Sequence, residues 1–403
     1  MFSPIFRNGE FRAMAVTESL SVIGDQLSRV ALALLVFGRT GSAMLSGLTY
    51  AMTFLPTVAG GFLLSSQADR RPRRGLLVAI NTFRAVLVLA MAVPGMPLPV
   101  LCILVAASAF LTGPYNAANL SLLRDVVPQE QYGTAMALRQ ALSQTGQLVG
   151  FASGGFLATI FSPASCLLID SATFALCALG IRLFVKKRPA ALSKGDEPAA
   201  TTSIGVVWGT PARRVIILST FAGLFLTAPE ALAAPLVAER GLGSQWVGIF
   251  MASGGLCSVA ALAIFARFVA SERYARVLPA VFLVPGLPLL PVGWLHNPIL
   301  LLILIGASGA AWSLLTVIAV TSFAGLLSDA ERGRGMGVAG SMNLTSAGVG
   351  AALAGVLADQ VGSAIAISIL GAAAIVFALR PATRWHRLAP AAPVSQELVA
   401  QPS

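Results

Sequence analysis

Apolar runs of about 20 residues recur along the chain between charged or Pro/Gly breaks, and that is the length a helix needs to cross the hydrocarbon of a bilayer. The pattern predicts twelve helices, at 12–37, 43–66, 75–95, 98–122, 133–161, 163–185, 212–237, 243–266, 276–295, 298–327, 333–359 and 361–380. Several connections are very short, such as PGMPLP at 94–99 and SPAS at 162–165. Connections of this length suit helices that turn back at a membrane surface.

Composition points the same way. The 403 residues are 56% hydrophobic and 11% charged, against about 25% charged in soluble domains, and the mean hydropathy is +0.82. The four cysteines, Cys102, Cys166, Cys177 and Cys257, all lie inside apolar runs without a CxxC pair. They read as small core residues, and no metal site or cofactor is expected. The first apolar run holds Glu18, Asp25 and Arg29 and is followed by no small-residue cleavage site, so it is expected to persist as a span.

A net charge of +11 raises nucleic acid as a partner. The distribution of that charge argues against it. With connections numbered alternately from the N-terminus, 22 of the 27 Lys and Arg residues fall on one face, including Arg70, Arg71, Arg73 and Arg74. Cytoplasmic loops are the ones enriched in these residues. Both termini are therefore expected in the cytoplasm, in a multi-pass protein of the inner (plasma) membrane that binds no nucleic acid.

Residues 128–158 laid over 328–358 give nine identities in 31 positions, among them Gly150 with Gly350 and Gly155 with Gly355. A weaker echo pairs TGSAMLSG at 40–47 with LGSQWVG at 242–248. Six spans thus match six. The expected organisation is a first six-helix half at 1–185, a cytoplasmic linker at 186–211, a second half at 212–380 and a disordered tail at 381–403. Two halves around a central cavity is the architecture of many secondary transporters.

Two stretches carry a family resemblance. SSQADRRPRR at 65–74 resembles the GxLaDRxGRR hairpin of the major facilitator superfamily, with Asp69, Arg70, Arg73 and Arg74 in the charged places and Ser65 and Pro72 replacing two glycines. GQLVGFASGG at 146–155 is similar to the GxxxGPxxGG signature of drug:proton antiporters through Gly146, Gly150, Gly154 and Gly155, with Phe151 in place of proline. Stretches in spans one, six and seven resemble the branch of macrolide-efflux and enterobactin-exporter proteins. The resemblance implies the all-α, twelve-helix major facilitator fold and a cytoplasmic hairpin that helps control conformational change, with Asp125 available to its arginines.

Ionisable residues inside a bilayer are costly, and those retained usually face a cavity or one another. Glu18, Asp25 and Arg29 fall within about 40° of one line on the first helix. Asp25 and Glu230, one from each half, are expected to line the central cavity and carry protons, with Arg29 stabilising Asp25 or simply pairing with it. Asp170 is expected near the outer end of span six, as a cap or gate. Gln26, Tyr50 and Tyr115 are candidate cavity residues, as are Asn116, Asn119, Trp312 and Asn343.

No GxxxxGK[ST] loop is present, and neither is HExxH or GxSxG. The expected activity is therefore non-enzymatic: a monomeric, proton-coupled exporter of a small amphipathic compound such as an antibiotic, drug or siderophore. An importer or uniporter of the same fold is the alternative, followed by a membrane enzyme or lipid-handling protein.

Overall fold

The computed structural model describes residues 5, 8–64, 70–189, 208–268 and 274–388. Its elements are helices α1 (Gly9–Thr40), α2 (Ala43–Ala51), α3 (Leu55–Leu64), α4 (Arg73–Met91), α5 (Leu98–Val126), α6 (Gln129–Ile160) and α7 (Pro163–Phe184). After the linker come α8 (Pro211–Thr220), α9 (Gly223–Leu226), α10 (Ala228–Ala231), α11 (Ala233–Glu239) and α12 (Gln245–Phe268). The last are α13 (Tyr274–Leu283) with its 3-10 continuation Val284–Gly293, then α14 (Pro298–Gly325), α15 (Asp329–Val361) and α16 (Ser363–Leu388). Among the described residues, ten helical stretches are long and apolar enough to cross a membrane.

Proline accounts for most of the places where a predicted span is broken. Pro56 cannot return a hydrogen bond to Met52, and span two divides into α2 and α3 around that turn. Span seven, predicted as one helix, divides into the short pieces α8–α11; Pro229 and Pro235 account for the breaks at Thr227 and Leu232, while the break at Phe221–Ala222 has no proline beside it. In span nine, Pro285, Pro288 and Pro291 recur every three residues, the period of the 3-10 helix that continues α13. Conversely, α6 runs unbroken through Phe151. Gln129–Ile160 is not among the ten apolar stretches because it carries Glu130, Arg139 and four more glutamines along its length.

The tail expectation needs correction at its start. Helix α16 continues past Pro381 to Leu388, and Trp385, 5% exposed, packs in an apolar cluster with Leu278, Phe282 and Phe323. An indole buried on that cluster extends the helix by two turns. Residues 190–207, 389–403 and 65–69, with Ser65 and Asp69 among them, lie outside the described residues.

Helix α1 packs on α6 and α7, α4 on α7, and α3 on α5. On the other side α12 packs on α14, and α16 on the 3-10 segment. The segments before and after the linker meet along two crossings, α6 with α12 and α2 with α15. The bundle has two polar ends. One carries the N-cap of α1, where Asn8 caps Glu10 N at 3.0 Å and donates to Val126 O at 2.9 Å. The other carries the α1–α2 turn, where Gly41, at φ 64°, closes α1 by donating its N–H to Phe37 O. Gly241, 200 residues later, takes the same φ of 64° after α11; left-handed backbone of this kind is open mainly to glycine.

Candidate functional site

The polar line on α1 is spent on three different partners. At its terminal end Glu18 accepts from Arg139 Nε at 2.7 Å and from Asn119 Nδ2 at 3.1 Å, which ties α1 to α6 and α5. Two turns on, Asp25 is held by Arg84 of α4 at 2.6 Å. Arg84 is 3% exposed, its guanidinium lies 4.1 Å from the Phe174 ring centroid, and its Nε reaches Ser108 Oγ at 3.4 Å. A guanidinium buried this far needs a carboxylate partner, and Asp25 supplies it.

Arg29 therefore does not pair with Asp25, which corrects the expectation from their spacing. It lies instead over aromatic faces, 4.7 Å from the Phe54 centroid and 5.9 Å from that of Tyr50. Asp170 is also not a cap: the cap of α7 is Ser162, and Asp170 lies eight residues into the helix, about 12 Å on at 1.5 Å per residue. It is 1% exposed and accepts hydrogen bonds from Ser28 and Thr173. A Cβ added to Gly24 would run into both the Asp170 and the Thr173 side chains, so glycine lets α7 bring this carboxylate against α1.

Asp25, Arg29, Arg84, Asp170 and Asn116 share one cavity of about 240 Å³, walled by α1, α3, α4, α5 and α7, with Leu344 of α15. Glu230 lies elsewhere. It accepts from Tyr50 Oη at 2.6 Å and lines a second cavity of about 390 Å³ between α6 and the α12–α14 pair. The expectation that Asp25 and Glu230 line one cavity is thus corrected. Arg29 and Tyr50 stand between them. The second cavity is lined on α6 by Gln140, Gln144 and Gln147, with Phe151, Trp312 and Ser258 opposite or beside them.

The glycines of α6 set how closely the helices approach. Gly150 faces α1, where an added Cβ would come within 2.6 Å of Ile23 O, and Gly146 and Gly154 face the same helix. Gly155 faces across the interface instead: its Cβ would lie 2.7 Å from Gln245 O and 2.8 Å from Gly248 Cα. On the other crossing, a Cβ on Gly355 would lie 2.8 Å from Ala43 O and 3.1 Å from Gly47 Cα. These contacts lie toward the end of the bundle with the α1–α2 turn, and the residues lining the second cavity on α6 and α12, between 140 and 151 and between 251 and 262, lie on the other side of them.

The family model described as Major Facilitator Superfamily matches residues 14–304. The chain belongs to that superfamily. It is a multi-pass membrane transporter acting on small-molecule substrates, not an enzyme. It is 23% identical over 357 residues to the multidrug efflux pump Tap of Mycolicibacterium fortuitum, covering 84% of this chain and 87% of that protein. It is 24% identical over 290 residues to the multidrug resistance protein MdtG of Klebsiella pneumoniae (strain 342), covering 68% of each. Its fold matches the crystal structure of the nucleoside transporter NupG with a TM-score of 0.75 at 15% identity, over 93% of this chain and 99% of that one. A bacterial homologue of the lysosomal transporter Spinster, in an inward-facing and occupied conformation, matches with a TM-score of 0.74 at 13% identity, over 95% of this chain and 96% of that one.

The remaining candidates of this transporter divide between site and scaffold. Asn119 serves Glu18, Trp312 lines the second cavity, and Gln26 is buried where α1 crosses Gly150, its Oε1 without a hydrogen-bond partner. Tyr115 is packed in an apolar cluster with Leu77, Ile80 and Leu122, away from the two cavities described above, and Asn343 is half-buried on α15. In the hairpin, Arg73 forms an ion pair with Asp125, Arg74 donates to the Arg182 carbonyl, and Arg70 is exposed.

Sequence reasoning missed a second set of residues. Asp359, at the end of α15, accepts from Ser42 Oγ at 2.9 Å, Ala43 N at 2.6 Å and Met44 N at 3.1 Å, so it caps α2 from across the interface. Its counterpart 200 residues earlier, Thr159, meets Ser244 Oγ at 2.9 Å. The signal was in the repeat. Adding 200 takes Thr159 to Asp359, and adding 202 takes Ser42 to Ser244. The offset grows because the second turn has two more residues between its glycine and its serine (244 − 241 = 3 against 42 − 41 = 1).

Proposed function

We propose that this superfamily member exports a small amphipathic compound in exchange for protons. The observation that carries the reading is the charge count across the first cavity and the Glu230 site joined to it, where three carboxylates, Asp25, Asp170 and Glu230, face two guanidiniums, Arg29 and Arg84. One negative charge in excess inside a membrane is costly, and one proton removes it. The amphipathic compound occupies the second cavity, its polar groups on Gln140, Gln144 and Gln147, its apolar body on Phe151 and Trp312, and any cationic group on Glu230. The chain Glu230–Tyr50–Arg29 connects the two cavities.

The transporter works as a monomer with twelve crossings, α6 and the Tyr274–Gly293 segment completing the ten apolar stretches. Both termini and the 186–211 linker lie in the cytoplasm, as the distribution of Lys and Arg favours. Residues 1–185 and 212–380 rock against each other about the glycine crossings. Contact at the end bearing the α1–α2 turn, with the second cavity on the other side of that contact, fits an inward-facing state. The relatives named as multidrug efflux and resistance proteins support export.

Reconstitution tests the coupling. Asp25→Asn and Glu230→Gln proteins in proteoliposomes are expected to lose pH-gradient-driven substrate movement while still binding substrate; full transport by both would sink the assignment. A drug-susceptibility panel on overexpressing cells, with and without an uncoupler, identifies the compound. Counterflow in inverted vesicles separates export from import, and alkaline phosphatase fusions at 95, 189 and 296 read the orientation.

A further inference from the structure

The largest of the described cavities, about 560 Å³, is not on the transport path. It lies at the terminal end of the bundle between the start of α4 and the end of α7, walled by Arg74, Arg182, Lys187 and Arg188 over Pro72 and Val78. Among the described residues, no carboxylate lines it. Arg188 is held by Glu10 at 2.7 Å, and among the described residues Arg74, Arg182 and Lys187 have no carboxylate within ion-pair distance. The Arg74 guanidinium donates to the Arg182 carbonyl and so ties α4 to α7 at the pocket's rim.

We infer that this pocket binds the phosphate of an anionic phospholipid. Three unneutralised cations facing one hollow match a phosphate monoanion, and basic pockets between helix ends are where anionic headgroups bind. The neighbouring surface favours a lipid over a soluble anion. Residues eleven apart on a helix share a face to within about 20°, which places Val86 above Gly75 and Leu89 above Val78. Both are exposed, as is Leu179, three residues before Arg182. A headgroup seated on the arginines therefore has an apolar track for its acyl chains directly above it. The bound lipid would clamp the α4 hairpin to the end of α7 where the linker departs.

The full-length protein in detergent, titrated with phosphatidylglycerol or phosphatidylcholine and read by native mass spectrometry, tests this. Phosphatidylglycerol is expected to be retained in preference to phosphatidylcholine. An Arg182→Gln/Lys187→Gln protein should bind it about thirtyfold more weakly, the worth of two basic side chains at about 1 kcal/mol each. An Arg380→Gln/Arg384→Gln protein, which removes two charges from the same end of the bundle, should bind as wild type. Equal binding by the pocket variant, or equal loss in the α16 variant, overturns the site. Displacement of the lipid by millimolar inorganic phosphate or glycerol 3-phosphate would overturn the lipid assignment in favour of a soluble anion.

Discussion

Gly155 of α6 rests on Gly248 of α12 so closely that a methyl group on Gly155 would sit 2.8 Å from the Gly248 Cα. Two hundred residues on, Gly355 of α15 rests on Gly47 of α2 in the same manner. The two crossings are the most extensive contacts between the segments on either side of residues 190–207, and both depend on the absence of side chains.

A Gly155→Val protein should therefore disfavour the closed arrangement of that end. Overpacking of this kind costs about 1–3 kcal/mol, which shifts a two-state equilibrium roughly 5- to 150-fold. Spin labels at the exposed Phe161 and Trp294 should report a longer mean separation than in wild type. An unchanged distance distribution would show that the crossing does not govern closure.

Asp359 should act as the latch at the same end. Hydrogen bonds to a charged group are worth about 1.5–3 kcal/mol, and Asp359 receives three from the start of α2. Replacing it by alanine is expected to speed amide exchange in the peptide covering 42–51 by tenfold or more, since about 1.4 kcal/mol is a factor of ten. Exchange at the wild-type rate would mean that α2 is capped by something else.

Breaking the Asp25–Arg84 pair should hurt more than removing it. An Asp25→Asn protein leaves a guanidinium that is 3% exposed without its charge partner, and unpaired buried charges of this kind cost about 3–5 kcal/mol. The double change Asp25→Asn with Arg84→Met should recover most of the lost thermal stability. A double variant no more stable than the single one would argue that Phe174 and Ser108, not Asp25, hold the arginine in place.

At the terminal end, Arg213 donates to Glu331 at 2.9 Å, and Ser328 adds a second hydrogen bond in the cap of α15. The Arg213 hydrogen bond, followed by those of Ser328, holds Glu331 below the ordinary carboxylate value of 4.5. A lowered folded-state pKa contributes stability that is complete above the unfolded value and is lost as pH falls through the folded one. Thermal midpoints should accordingly fall more steeply below about pH 4.5 in wild type than in a Glu331→Gln protein. Because the pair is only partly buried, the difference should be small and should shrink further in high salt; parallel curves would remove Glu331 from the cap.

Much of the architecture was readable in the order of the residues. Apolar runs separate cleanly from Pro, Gly and Arg breaks because a membrane span must be apolar over its whole length. The offset of 200 was visible because glycines needed at both crossings recur at the same place in each repeat. The helix interruptions were less readable. Pro56, Pro229 and the Pro285–Pro288–Pro291 series lie in apolar runs, and hydropathy averages over the lost hydrogen bonds that divide those runs.

What residue order alone determined is the set of buried charges and their heights along each helix, since a rise of 1.5 Å per residue turns sequence into depth. Partnership was decided by the fold. Asp25 and Arg29 are one turn apart on α1, yet Asp25 pairs with Arg84 from α4, Asp170 reaches Ser28 from α7, and Tyr50 takes Glu230 from beyond the linker. Helix rotation about its own axis and the choice of neighbour place these groups, and both are set by glycine contacts and apolar packing between helices distant in sequence. Because a carboxylate in the bilayer interior responds chiefly to the charges within a few ångströms, the separation of Asp25 and Glu230 into two cavities could come only from the tertiary structure.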